Sequence, residues 1–172
     1  MKQAIGVLLG SLMIAFAPMA LAQAPQDNVD FQLPTLERLA ADNSHSQVAA
    51  KIAGKYVNLA GSEENALALV MALHEGSSVT LTAPDADVPD VTTIEPPTGK
   101  MGWSDVKFAL VIAQDRLYRA GIMRPTGEQL QAALTGGDLR RRDGIVVSMK
   151  GVLQMRAAGM GWKQIASWGR NG

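Results

Sequence analysis

The chain contains no cysteine, and that absence constrains the fold more than any motif it carries. With no disulfide and no cysteine-bound metal to staple loops together, stability has to come from apolar side chains packed against one another. Hydrophobic residues make up 47% of the chain, enough for such a core, and 172 residues suit one domain rather than two. The same absence leaves no N-terminal cysteine to acylate, which argues against a bacterial lipoprotein.

The N-terminal residues follow the order of a secretory leader. Lys2 supplies the positive charge, and Ala4 to Ala17 is an apolar run of about 14 residues, the length of a leader's hydrophobic region. A helical span of a bilayer needs about 20 such residues. Pro18 interrupts the run, and Ala20-Leu21-Ala22 offers the small side chains that signal peptidase accepts. The pattern predicts a signal peptide over 1–22 with cleavage after Ala22. Cleavage after Ala24 would place Pro25, with its fixed φ and missing N–H, directly after the scissile bond. An uncleaved anchor is the alternative reading. The expected product is a periplasmic or secreted chain of roughly 150 residues, without stable transmembrane anchoring because no second apolar segment reaches spanning length.

Residues 23–45, with Pro25, Asp27, Asn28 and Pro34, read as a flexible lead-in, in which Thr35 can cap a short helix through Leu36 and Leu39. From 46 to 172 the pattern is that of one domain. Ser46 can cap a helix over Gln47 to Asn58 carrying Val48, Ile52, Tyr56 and Leu59 at helical spacing, weakened by Gly54. Ser62 caps a helix with Leu67, Val70, Met71 and His74 on one stripe, closed by Gly76. Val79 and Leu81 alternate with polar residues as in a strand, Val91 to Glu95 is a second β-prone run, and the two can pair. A helix over Ser104 to Ala120 comes next, with Val106, Leu110, Ala113 and Leu117 on one face. Thr126 and Gln129 have capping-box spacing for another. Leu139 to Arg142 and Ile145 to Ser148, joined by Asp143-Gly144, read as a hairpin with a type I′ turn. Lys150 to Ala158 and Trp162 to Trp168 read as two short closing helices. The fold class expected is mainly α: a single compact helical domain with one or two minor β-hairpins.

Formal charge is zero overall, yet it is unevenly placed. Between Gln23 and Pro97 there are three basic residues against eleven acidic ones, and from Thr98 to Gly172 twelve basic against five acidic. Either the acidic half packs on the basic half, or the basic half faces an anionic partner. The densest basic run is Arg140-Arg141-Arg142. On a strand neighbours alternate, so Arg140 and Arg142 share one side and Arg141 lies opposite. If Leu139 and Ile145 mark the buried side, part of the run reaches solvent, where guanidinium forks can hold carboxylate or phosphate. Asp85, Asp87 and Asp90 are the internal partners that would neutralise it instead. Lys100 and Lys163 are further candidate binding residues.

Met101-Gly102-Trp103 and Met160-Gly161-Trp162 form a short internal similarity, each continued by two polar residues and a β-branched aliphatic. In each the glycine allows a sharp turn, and the tryptophan opens a helix whose aliphatic three places on shares its face. Trp103 and Trp162 are therefore expected as structural aromatic anchors, the alternative being an exposed ligand platform. These segments, with Gly61-Ser62-Glu63-Glu64-Asn65, Pro96-Pro97-Thr98-Gly99-Lys100-Met101-Gly102, Pro125-Thr126 and Gly159-Met160-Gly161-Trp162 through Gln164-Ile165-Ala166, resemble a family of small exported bacterial proteins of uncharacterised function. The resemblance covers most of the chain from Gly61 onward. It implies export and one fold, and brings no activity or site residues. Val152 to Trp168 is also similar to a helix-turn-helix element, with Arg140 to Arg142, Lys150, Arg156 and Lys163 as phosphate contacts. The short second helix and the export signal argue against nucleic acid as the partner.

No catalytic residues stand out. Asp42-Asn43-Ser44-His45-Ser46 reads as turn and cap chemistry, and His74 falls on the apolar stripe of its helix. Two isolated histidines without cysteine make a transition-metal site unexpected, and no motif calls for a cofactor. Gly99-Lys100-Met101-Gly102 lacks the length of a phosphate loop. The expected function is that of a non-enzymatic exported binding or accessory protein of the bacterial envelope, its partner an anionic envelope component or another protein. The first alternative is a small periplasmic hydrolase in which Glu63, Glu64, Glu75, Glu95 or Asp105 converge in one cleft. A helix-turn-helix DNA-binding protein is the second. The sequence does not set an oligomeric state.

Overall fold

The computed structural model describes residues 29–83, 91–141 and 143–168, with side chains from residue 41. The expected signal peptide 1–22, the acidic loop carrying Asp85, Asp87 and Asp90, and Arg142 lie outside the described residues. The chain divides into two units, Met1–Arg38 and Leu39–Gly172. Of the first only the backbone of a helix from Val29 is described; every described side chain belongs to the second.

Helix α1 spans Val29–Ala53 as one element, where the sequence suggests a lead-in and two shorter helices. It stops before Gly54, and Lys55 and Tyr56 then donate to the carbonyls of Ile52 and Ala53 at 3.0 and 2.8 Å. These three-residue bonds tighten the last turn and satisfy carbonyls that a helix end leaves open. The expected helix through Asn58 is thereby broken, and α2 (Val57–Ala60) is a separate turn. Ile52, Tyr56 and Leu59 are buried as their spacing predicts, whereas Val48 is exposed. Burial pushes the Tyr56 phenol above its ordinary value of 10.0.

Helix α3 (Glu63–Glu75) opens on Ser62, whose side chain accepts from the Asn65 N–H, and closes on Gly76 at φ 72°. The buried face is Ala66, Leu69, Val70 and Leu73, rotated from the expected stripe: Leu67 is exposed. Apolar residues fill every position from Ala66 to Leu73, so periodicity cannot choose a face and packing does. Strands β1 (Val79–Thr82) and β2 (Val91–Ile94) pair antiparallel with Val79 opposite Ile94.

Helix α4 (Trp103–Arg119) buries Val106, Ala109, Leu110, Ala113 and Leu117. Helix α5 (Gly127–Thr135) carries the full capping box of Thr126 and Gln129. Strands β3 (Gly137–Arg140) and β4 (Val146–Met149) pair antiparallel with Leu139 opposite Val147. Their connection differs from the expected two-residue turn. Gly144 donates to Arg141 O at 3.1 Å and has φ 81°, so the glycine stands three residues on from Arg141, at the end of a turn rather than inside a type I′ pair. Helices α6 (Val152–Ala157) and α7 (Trp162–Ser167) complete the unit.

The expectation of a mainly α domain is corrected: the unit is a mixed α/β domain, predominantly helical, with two small antiparallel sheets among the described residues. The strands are not appendages. Val79, Leu81, Ile94 and Leu139 belong to the same core as the helices, and α5 packs on β2 and β3 as well as on α4 and α6.

Candidate functional site

Where the C-terminal end of α4 meets the β3–β4 sheet and the end of α7, the surface opens into a cleft of about 390 Å³. Four cationic side chains line it: Arg116, Arg119, Arg141 and Lys150. Trp168 adds an aromatic wall, and no carboxylate among the described residues contributes to the lining. The local structure explains the convergence. Arg116 and Arg119 are three apart on α4 and so share a face, in the last turn where the helix dipole favours positive charge. Leu139 is fully buried, and alternation along the chain brings Arg141, two residues on, to the same side at the rim of the core.

The four cations are not equivalent. Arg116 is committed to the fold: its two terminal nitrogens donate to Lys150 O at 2.7 Å and Ile165 O at 3.2 Å, tying α4 to the start of α6 and the last turn of α7. Burial, and next the neighbouring Arg119 charge, hold its guanidinium below the ordinary arginine value, with Asp115 acting in the opposite direction. It remains charged at neutral pH. Arg119 pairs with Asp115 at 2.6 Å and Arg141 with Asp143 at 3.4 Å, both solvent-exposed contacts of the kind that contributes little. Lys150 Nζ lies 5.0 Å from the centre of the Trp168 ring. The Arg141 Nε is shielded from solvent and has no hydrogen-bond partner among the described residues. A buried N–H left unpaired is costly, and an anionic oxygen in the cleft would satisfy it.

Of the described basic residues singled out in the sequence, Arg141 and Lys150 enter this cleft. Arg140 is exposed on the opposite side of β3, where its carbonyl accepts from Gln129 Nε2 at 2.8 Å. Ile145, expected to mark the buried side, is exposed. Lys100 lines a separate shallow depression with Asp105 and Arg156, and Lys163 is exposed on α7. Sequence reasoning misses Arg116, Arg119 and Trp168 as cleft residues. The only local signal is the three-residue spacing of two arginines at a helix end.

The two Met-Gly-Trp segments open α4 and α7, with Gly102 and Gly161 as extended N-caps at ψ 155° and 149°. Both tryptophans are partly buried against the core. Trp162 Nε1 donates to Asp105 Oδ1 at 2.5 Å, so a carboxylate beside the first motif holds the indole of the second. Arg156 lies over the Trp162 ring at 5.1 Å. Trp103 stacks on His74 with centroids 3.7 Å apart, and His45 of α1 meets both rings edge-on at about 6 Å. His74 Nδ1 is 2.7 Å from Met101 O. A carbonyl only accepts, so Nδ1 carries the proton. The two histidines thus meet at Trp103, which their separation in sequence does not reveal.

Glu63 and Glu64 begin α3 and Glu75 ends it, on the order of 16 Å away along the helix, and Asp105 is engaged by Trp162. Among the described residues no cluster of three or more histidine, aspartate or glutamate side chains could hold a metal ion, and no helix is long and apolar enough to cross a membrane. Helix α7, the second element of the helix-turn-helix resemblance, has six residues, a length of about 9 Å. Fold and cleft together define a small mixed α/β domain bearing a cationic, aromatic-walled recess. No protein-family model, curated protein or solved structure matches the chain.

Proposed function

We propose that the chain is an exported, non-enzymatic binding protein whose ligand presents an anionic group, phosphate or carboxylate, to the cleft of Arg116, Arg119, Arg141 and Lys150. The observation that carries this reading is the convergence of four cations on a cleft with no acidic side chain among its described lining residues, one of them holding a buried, unpartnered N–H. Arg119 and Arg141 supply the planar forks that match an oxyanion in bidentate fashion, and Lys150 adds a point charge. Arg116 contributes field from a fixed position, its donors being occupied by carbonyls. The leader-like N-terminus supports placement outside the cytoplasm.

Inorganic pyrophosphate is a suitable probe. Calorimetric titration should show binding to the wild-type chain that weakens as salt rises, since exposed charges are screened beyond about 8 Å at physiological ionic strength. The double variant Arg119→Gln/Arg141→Gln should lose that binding while keeping its unfolding midpoint, because exposed ion pairs contribute only about 0–1 kcal/mol. Unchanged binding in the variant would remove the cleft from consideration.

A further inference from the structure

Strand β4 breaks the rule that a strand buries alternate residues. Ile145, Val146 and Val147 are 53%, 48% and 41% exposed, and Trp168, which lines the cleft with Val147, is 47% exposed. The register sets Arg140 opposite Val146 and Leu139 opposite Val147, and the Arg141 N–H donates to Ile145 O at 2.8 Å. Each side of this hairpin end therefore carries an arginine next to an exposed aliphatic residue. Val147 and Trp168 line the cationic cleft; Ile145 follows Val147 on the same face toward the hairpin turn, while Val146 stands on the face of Arg140.

Water-facing strands ordinarily end in polar or charged side chains, and an apolar rim around a basic recess suits a different medium. At a bilayer surface aliphatic side chains enter the acyl boundary, tryptophan sits at headgroup level, and lysine and arginine reach the phosphates. We propose that the anion taken by the cleft is the headgroup phosphate of an anionic lipid, bound while the Ile145–Val147 end of the hairpin and Trp168 rest in the bilayer interface. This rests on the reading of the cleft as an anion site. A partner strand or a second copy of the chain could also cover the aliphatics, yet neither by itself accounts for four cations converging on a cleft with no carboxylate among its described lining residues, two of them paired only at the exposed rim, with Asp115 and Asp143.

The test is sedimentation of the purified chain beginning at Gln23, without the apolar leader, with vesicles of pure phosphatidylcholine and of phosphatidylcholine containing phosphatidylglycerol, alongside pyrophosphate calorimetry. Partition should rise with phosphatidylglycerol content and be at least about tenfold weaker on the neutral vesicles, as expected of a site combining charge with apolar insertion. Ile145→Ser/Val146→Ser, at exposed positions outside the cleft lining, should lower partition by about tenfold and leave pyrophosphate affinity unchanged. Trp168→Phe should abolish a blue shift of tryptophan emission on adding the anionic vesicles. If the wild type binds pyrophosphate yet stays in the supernatant with phosphatidylglycerol vesicles, the lipid assignment is overturned while the cleft reading stands. If neither probe binds, the cleft reading itself has failed. Vesicle binding unaffected by the serine variant overturns insertion of the hairpin. So does a wild-type dimer by gel filtration that the serine variant converts to monomer without altering partition, since the face would then belong to a second copy.

Discussion

Asn65 shows how one side chain can hold several elements in place. It sits buried near the start of α3, and its amide donates to Ala60 O and Thr82 O, both at 2.9 Å, while its oxygen accepts from the Thr82 N–H at 3.3 Å. The end of α2, the start of α3 and the end of β1 are joined through it. An amide is needed because the site requires both donors and an acceptor. Asn65→Ala should cost about 2–4 kcal/mol in denaturant unfolding, since it strands buried carbonyls as well as losing the bonds; a loss below about 1 kcal/mol would mean that water replaces the amide at no cost. The sequence shows Asn65 three residues after a serine cap and nothing of Thr82, seventeen residues on. Arg116 is similar: its position in a last turn is legible, and its carbonyl partners at Lys150 and Ile165 are not. The same distance in sequence hides the cleft. Arg141 is visible in a run of three arginines, whereas Arg119 and Trp168 join it only once α4, β3 and α7 have packed.

At the level of elements, local signals are the dependable ones. The Thr126–Gln129 box, the Ser62 cap, the alternation of β1 and the tryptophan openings of α4 and α7 are each specified within a few residues, and each forms. Where the sequence is apolar all round, as in α3, or where a glycine interrupts a periodic run, as at Gly54, the outcome depends on tertiary packing. The strands matter more than their sequence suggests for the same reason: four residues carry little periodicity of their own, yet they place Ile94 and Leu139 in the core. One close approach holds the second half together. A Cβ on Gly151 would collide with the backbone of Leu134, Thr135 and Gly136, where the end of α5 meets the start of α6. Its φ of −65° is ordinary, so glycine is required here for space rather than for conformation. Gly151→Ala should therefore destabilise the domain by about 1–3 kcal/mol or more, the cost of overpacking against a rigid backbone, read as a lower denaturation midpoint. Gly99→Ala, where an added methyl meets nothing within 4 Å, is the control and should be close to neutral.

On the scale of the whole molecule, the proposed function links the export signal expected at one end of the chain to a cationic cleft built from its other half. The charge asymmetry that sequence alone displays becomes, in the fold, a local concentration on one wall rather than a uniformly basic half, because Arg140 and Lys163 lie elsewhere. The export step has its own check: intact-mass analysis of the protein purified from a native-type host should give a chain beginning at Gln23, as glutamine or its cyclised form. Recovery of the Met1 form from the cytoplasm would contradict the proposed placement. The central claim, that the cleft takes an anion, is tested most directly by side-chain NMR of the isotopically labelled protein titrated with pyrophosphate, the Arg141 Nε–H resonance being assigned by its loss in Arg141→Lys. The largest shifts should fall on Arg141 Nε–H and the Trp168 indole N–H, with the Trp103 and Trp162 indoles nearly still. Shifts concentrated instead near Lys100 or Lys163, or an Arg141 signal unmoved at saturation, would contradict it.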